Sequence, residues 1–342
     1  MSRTHRLYLL TWAAAGLISL VLTPLARQAA IRWNILDRPD NKLKTHGDAV
    51  PYLGGVAILV GFIFSLVIVR FFTHFPTGTL KSIRGIFYGT ILISVIGLVD
   101  DTRRGGLHFK TKFLLQTLAA VVLILFDIRI KFAHPEWLAD LLTLVWVIGI
   151  INAMNLTDIL DGLAGGIAVI ASAAFLFISL PTEEIYVNFA SAALAGACMG
   201  FLPYNLSKKY RVFMGDTGSL ALGFILAALS MGTSYTQIND IGLFSPILIL
   251  ALPIYDTLLV SVLRLGKGQS PFIGSKDHFP LRLKAVGFSC NQILLTCYSL
   301  CIAAAIGASL MTILPLAQCL IVMGTALGVF GVLTWEVCKI KV

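Results

Sequence analysis

Acidic and amide side chains at short spacings supply most of the chemistry this chain can do. Asp100 and Asp101 stand side by side in VDDTRR, where an apolar run meets polar residues. Two adjacent carboxylates repel each other near low dielectric unless a cation or a proton joins them. A divalent metal, or a proton-accepting role, resolves that conflict. Asn152, Asn155, Asp158 and Asp161 recur every three residues in INAMNLTDILDGLAGG. On a helix the last three share one face, with a drift of about 60° per step. Their oxygens are the hard donors that Mg²⁺ prefers. Asp216, in FMGDTGSLALGF, precedes a further apolar run. It can cap that helix, or hold a metal where backbone amides also favour phosphate.

Basic residues lie close to these acids. Lys110 and Lys112 follow the Asp pair and suit phosphate oxygens as point charges. GKGQSPFIGSKDHFPLRL, residues 266–283, brings Asp277 and His278 together with Lys276 and Arg282. LDRPDNKLKTHGDAVPYLGG, residues 36–55, holds Lys42, Lys44 and His46 ahead of Gly54 and Gly55. Asp256 stands apart in LPIYDTLLV, eight residues from Arg264 and so about 12 Å inside its span. Protonation, a polar neighbour or a functional role would each account for it. No pattern supports a Walker loop, a dinucleotide fold, a Ser/His/Asp triad or H-E-x-x-H.

The elements that must position these residues are apolar. The 342 residues are 57% hydrophobic and 13% charged, with mean hydropathy +0.88. Soluble domains carry about 25% charged residues, so the composition is that of an integral membrane protein. The apolar runs are continuous rather than alternating, which excludes a barrel. Eleven helices are expected, at about 7–26, 52–70, 84–99, 113–127, 138–154, 162–180, 186–202, 218–234, 243–264, 291–311 and 315–336. The first is longer than a signal-peptide core and has no clear A-x-A cleavage site, so it reads as a span. With the N-terminus outside and the C-terminus cytoplasmic, 19 of the 26 Lys and Arg fall on the inner side. The expected fold is thus an all-α, polytopic bundle, one transmembrane catalytic domain over 1–342. Its cytoplasmic loops would fall near 27–50, 100–112, 155–161, 203–217 and 265–290. The net charge of +9 is explained by topology and anionic ligands rather than nucleic acid. The six cysteines show no C-x-x-C and read as small apolar packers.

Every polar cluster therefore falls on one side of the membrane. Carboxylates, amides and basic residues together suit a divalent metal on a diphosphate. An almost wholly embedded protein points to a lipid as the second substrate. Phosphoryl transfer between a soluble diphosphate and a lipid phosphate fits both facts.

The ordered motifs DD, N-x-x-N-L-T-D-x-L-D-G-L-A-G-G, M-G-D-x-G-S-L and a His-containing basic loop carry a resemblance. They resemble the polyprenyl-phosphate N-acetylhexosamine-1-phosphate transferase family, from about Asp37 to about Gly287. VPYLGG is similar to the N-acetylglucosamine branch rather than the phospho-N-acetylmuramoyl-pentapeptide branch. The resemblance implies ten or eleven transmembrane helices and a cytoplasmic-face site in the inner (cytoplasmic) membrane. It implies Mg²⁺, with Mn²⁺ as an alternative, and transfer of a sugar 1-phosphate from a UDP-sugar to polyprenyl phosphate. The products would be polyprenyl-diphospho-sugar and UMP, the first membrane step of a cell-envelope glycan.

By position, Asp216 and Asn155 resemble the metal ligands. Asp100 resembles the carboxylate that orients or deprotonates the lipid phosphate, with Asp101 beside it. Asp161 resembles the residue near uracil, and Asp158 sits between nucleotide and metal. Lys112, Lys44, His46, His278 and Arg282 resemble phosphate and sugar contacts. Two departures stand out: the last loop has His278 as its single histidine, and either Lys42 or Lys44 can take the first-loop lysine role. A homodimer is compatible with this reading. The alternatives are the muramoyl-pentapeptide enzyme and, from a different class, an ion-coupled secondary transporter using Asp256.

Overall fold

A computed structural model of the chain describes residues 3–38, 49–103, 105–182, 184–236, 238–270 and 275–340. The expected loop residues Lys42, Lys44 and His46 lie outside these. The helices in the first part are α1 (Arg3–Arg32), α2 (Gly54–Arg70), α3 (Thr77–Thr102), α4 (Phe109–Leu125), α5 (Glu136–Thr157), α6 (Leu163–Ser179), α7 (Ile185–Asn205) and α8 (Gly215–Gly232). Two short strands, β1 (Leu36–Asp37) and β2 (Val50–Pro51), pair antiparallel. The later helices are α9 (Ser245–Ile249), α10 (Ala251–Gly266), α11 (Phe279–Ala285), α12 (Cys290–Met311) and α13 (Leu316–Cys338). The chain divides into two compact units, one holding α1–α8 and the other the helices from α9 on.

Each of the eleven expected apolar runs coincides with helix. Among the described residues seven helices are long and apolar enough to cross a membrane, or eight if the bent pair formed by 240–249 and α10 is one span. The ninth run is broken: α9 and α10 meet at 71°. Pro253 has no N–H for the carbonyl four residues back, and that carbonyl belongs to Ile249, the last residue of α9. Helix starts follow local chemistry. α3, α5 and α13 begin directly after Pro76, Pro135 and Pro315. α12 begins at a capping box in which Ser289 and Gln292 satisfy each other's backbone N–H.

In the first unit α7 and α8 are innermost, with 78% of the apolar window of each buried, against 22% for α1. Small residues allow this. A Cβ on Gly196 of α7 would lie 2.1 Å from the carbonyl oxygen of Trp12 on α1. In the second unit α13 is 6% buried and presents Leu327 and Trp335 outward, as a lipid-facing helix does. All six cysteines are free, and Cys198, Cys297, Cys301 and Cys319 are buried.

Candidate active site

The site of the first unit is built around the start of α8. Phe213 N–H bonds to the Pro51 carbonyl at 2.8 Å, and Gly54 and Gly55 N–H bond to the carbonyls of Phe213 and Met214 at 2.9 and 3.0 Å. VPYLGG and VFMGD thus lie against one another. Gly215 turns with φ +68°, and a Cβ there would meet Asp101 Oδ2 at 2.5 Å. Gly55 and Gly97 let α2 and α3 touch the α8 backbone, since a Cβ on either would lie within 2.5 Å of Gly218 or Thr217 backbone atoms.

Asp216 does not cap α8. The helix begins at Gly215, so Asp216 already sits in its first turn. The cap comes from another helix. Asp101, at the end of α3, accepts bonds from the N–H of Asp216 (2.8 Å), the N–H of Thr217 (3.0 Å) and the Thr217 hydroxyl (2.7 Å). The Tyr52 hydroxyl donates to the Asp101 carbonyl. Asp101 is thereby fully engaged, while its neighbour Asp100 points elsewhere.

Asp100 and Asp216 share one cation. Lys112 Nζ lies 2.7 Å from Asp100 Oδ2 and 2.7 Å from Asp216 Oδ2. The second oxygen of Asp100 accepts the Leu107 N–H at 2.5 Å, across a turn with positive φ at Gly105 and Gly106. His108 caps α4 by accepting the Lys110 N–H, which starts the helix that carries Lys112. Asn155, near the end of α5, donates to Asp216 Oδ1 at 3.0 Å and to the Ser219 hydroxyl at 2.9 Å.

The expected helical face of Asn155, Asp158 and Asp161 is not formed. α5 ends at Thr157, Asp158 is its C-cap, and Gly162 takes φ +82°. The chain turns because Asn205 holds it. Its Oδ1 accepts the Gly162 N–H at 2.6 Å and its Nδ2 donates to the Val212 carbonyl at 2.9 Å. Asp161 pairs with Arg211, whose guanidinium lies 4.9 Å from the centre of the Phe213 ring. Desolvation, reinforced by the charges of Asp216, Asp161 and Asp101, pushes the Asp158 carboxyl up to about 8.

His278 and Arg282 belong to the second unit, with Asp256. The buried Asp256 lies 2.7 Å from His278 Nδ1 and accepts the Phe279 N–H at 2.6 Å, so it caps α11. A polar neighbour therefore accounts for this intramembrane acid. Arg282 bonds to Asp277 at 2.6 Å and to the carbonyls of Val337 and Ile340 at 3.0 and 2.6 Å, which closes the end of α13. Burial favours the neutral form of Asp277, yet hydrogen bonds from Lys267, Ser275 and Arg282 hold it down at about 2.

The structure thus joins Asp100, Lys112, Asn155 and Asp216 by direct bonds, with Asp101 behind them. Sequence reasoning missed Tyr52, Asn205, Arg211, Thr217 and Ser219. Asn205 closing an apolar helix and Arg211 just before FMGD were signals of unpaired polarity. The donor set fits a hard cation: Asp216 and Asp100 already hold one positive charge between them, and Asn155, whose Nδ2 donates to Asp216, carries an amide oxygen of the hard type. Among the described residues no three His, Cys, Asp or Glu side chains form a cage. A cation held here would complete its shell with phosphate and water, as Mg²⁺ does.

Comparison with known proteins identifies the family. Residues 83–234, which contain the four joined side chains, match the family model described as Glycosyl transferase family 4. A probable undecaprenyl-phosphate N-acetylglucosaminyl 1-phosphate transferase of Bacillus subtilis is 32% identical, over 82% of this chain and 78% of its own. A decaprenyl-phosphate N-acetylglucosaminephosphotransferase of Mycolicibacterium smegmatis is 32% identical, over 94% and 86%. A phospho-N-acetylmuramoyl-pentapeptide-transferase of Prochlorococcus marinus is 30% identical, over 80% and 81%. With its ordered motifs and relatives matched over most of their length, the chain belongs to glycosyl transferase family 4.

Proposed function

We propose that the protein transfers N-acetylglucosamine 1-phosphate from UDP-N-acetylglucosamine to polyprenyl phosphate and releases UMP. The observation that carries this reading is the Asp100–Lys112–Asp216 bridge, with Asn155 on the free oxygen of Asp216. In the transfer the donor's diphosphate bond breaks. The phosphorus bearing the sugar joins an oxygen of the lipid phosphate, and UMP leaves.

Asp216 and Asn155 would hold Mg²⁺ or Mn²⁺, which supplies charge to the donor diphosphate when bound. Lys112 exchanges its two carboxylates for phosphate oxygens, so one ammonium serves both the resting and the loaded site. Asp100 orients the lipid phosphate and takes its proton. Asp101 acts through α8, by fixing the turn that aims Asp216. Asp158 and Asp161 face the nucleotide and His46 its phosphates, while His278 and Arg282 are engaged within the second unit by Asp256 and Asp277. The one-sided Lys and Arg count supports eleven crossings, the N-terminus outside and the reaction on the cytoplasmic face of the cytoplasmic membrane.

The test incubates purified protein with Mg²⁺, undecaprenyl phosphate and UDP-N-acetylglucosamine. UMP and a lipid-linked N-acetylglucosamine should both appear. Turnover only with UDP-N-acetylmuramoyl-pentapeptide would move the protein to the other branch. Folded protein that releases UMP from neither donor would refute the transferase.

A further inference from the structure

Asn152 is the residue of the spaced polar series that has no place in the site. It lies on α5 one turn before Asn155, and its side chain meets Gln116 of α4. Asn152 Nδ2 donates to Gln116 Oε1 at 2.7 Å, and Gln116 Nε2 reaches Asn152 Oδ1 at 3.4 Å. Asn152 Nδ2 also donates to the Ile148 carbonyl of its own helix at 2.7 Å. Gln116 is fully buried. We propose that Gln116 and Asn152, a reciprocal amide pair between α4 and α5, are positioning residues that set Lys112 and Asn155 on Asp216.

The geometry follows from helix periodicity. Lys112 is four residues before Gln116 and Asn155 three residues after Asn152, so each shares a face with its amide. Both then reach the same carboxylate, Lys112 on Oδ2 and Asn155 on Oδ1. Apolar packing would hold α4 beside α5 but would tolerate sliding and rotation. An amide pair in an apolar setting does not, because a shift leaves buried donors and acceptors without partners. Rotating α4 would carry Lys112 away from Asp100 and Asp216. A displacement of about 1 Å at a reacting group costs about 100-fold in rate.

The effect on turnover rests on the transferase reading; the placement of Lys112 does not. The experiment therefore reads both. Acetylation of Lys112 by acetic anhydride is followed by mass spectrometry, with Lys110 as the internal reference, in wild type, Gln116→Leu, Gln116→Asn, Asn152→Leu and the swap Gln116→Asn/Asn152→Gln. The single variants should acetylate Lys112 severalfold faster, with Lys110 unchanged. Their kcat should fall about 100-fold with little change in donor KM. The swap keeps both amides and the summed side-chain length, so it should recover Lys112 protection and most of kcat. If Gln116→Leu does not fold, Gln116→Asn against the swap carries the comparison. Lys112 reactivity unchanged in the folded single variants overturns the proposal, as does a swap no better than its parents. Lys112 freed as expected while wild type makes no UMP would overturn the transferase reading and leave the placement standing.

Discussion

The Asp101 carboxylate accepts the Asp216 backbone N–H at 2.8 Å, so the acid that ends α3 fixes the first turn of α8. The two members of the Asp pair are thus separated by function. Asp101 spends its oxygens on Asp216 and Thr217, and Asp100 spends one of its own on Lys112. Asp101→Ala leaves buried amides without an acceptor and should cost about 3 kcal/mol. It should lower Tm and activity together. Asp100→Asn should leave Tm near wild type and lower kcat by about 10²–10⁴-fold, with nucleotide binding retained. Thermal unfolding in detergent beside a UMP-release assay separates them, and wild-type turnover in Asp100→Asn would remove its assigned role.

Asp216→Ala and Asn155→Ala remove the two sides of the cation seat. Both should lose activity, and Asn155→Ala should regain part of it at raised Mg²⁺ because the carboxylate remains. A Mg²⁺ titration of initial rate reads this. An unchanged Mg²⁺ dependence in Asn155→Ala would exclude that residue as a ligand.

Asp158 gives a pH prediction. Its carboxyl is raised from 3.8 to about 8, so the folded chain retains a proton that the unfolded chain releases. Stability from this group is intact below about 4, falls as pH rises, and is fully lost above about 8. Asp158→Asn cannot ionise and should flatten that slope. In chelator, its Tm should exceed wild type at pH 8.5 and match it at pH 4, while turnover is lost. A parallel Tm–pH curve for the two proteins would contradict this.

Asp277 predicts the opposite slope for the second unit. Its pKa is lowered from 3.8 to about 2, so its contribution is present above about 4 and lost as pH falls through about 2. Arg282→Ala should destabilise at neutral pH and reduce the acid sensitivity. Hydrogen exchange of the α11 and α13 amides reports it directly, and exchange unaltered by Arg282→Ala would show that these bonds do not hold α13.

Gly215→Ala places a Cβ at φ +68° and 2.5 Å from Asp101 Oδ2. Strain in the left-handed region costs about 1 kcal/mol or more before the clash is counted. Tm and activity should both fall, and Gly78→Ala, where nothing lies within 4 Å, is the control.

What the sequence reveals and what it hides have physical causes. Long apolar runs specify helices on their own, so the expected spans and the helices agree in position. The bend after Ile249 is different, because a proline reports a missing N–H without saying how far the chain will turn. The end of α5 at Thr157 is hidden because N-L-T-D-I-L-D keeps a helix-like spacing past the point where Asn205, from another helix, captures Gly162. Asp216 reads as a cap when its own neighbours alone are considered. The true cap, Asp101, is 115 residues earlier, and no local pattern announces that bond. Lys112 is the converse case. A lone lysine after two acids is legible as a phosphate contact, but its bridge from Asp100 to Asp216 needs α3, α4 and α8 together.

The charge balance of this site has a kinetic consequence. Asp100, Asp101, Asp158, Asp161 and Asp216 gather there, and among the described residues Lys112 pairs with Asp100 and Asp216, and Arg211 with Asp161. Burial and the charges of Asp216, Asp161 and Asp101 push Asp158 up to about 8, so these acids repel one another in the resting site. Both proposed substrates are anions, and neither would be drawn into such a field bare. A divalent cation held by Asp216 and Asn155 would supply the positive charge that lifts this repulsion for both phosphates. The arrangement thereby sets a sequence of entry, cation before either phosphate, that initial-rate patterns at varied Mg²⁺, donor and acceptor would display.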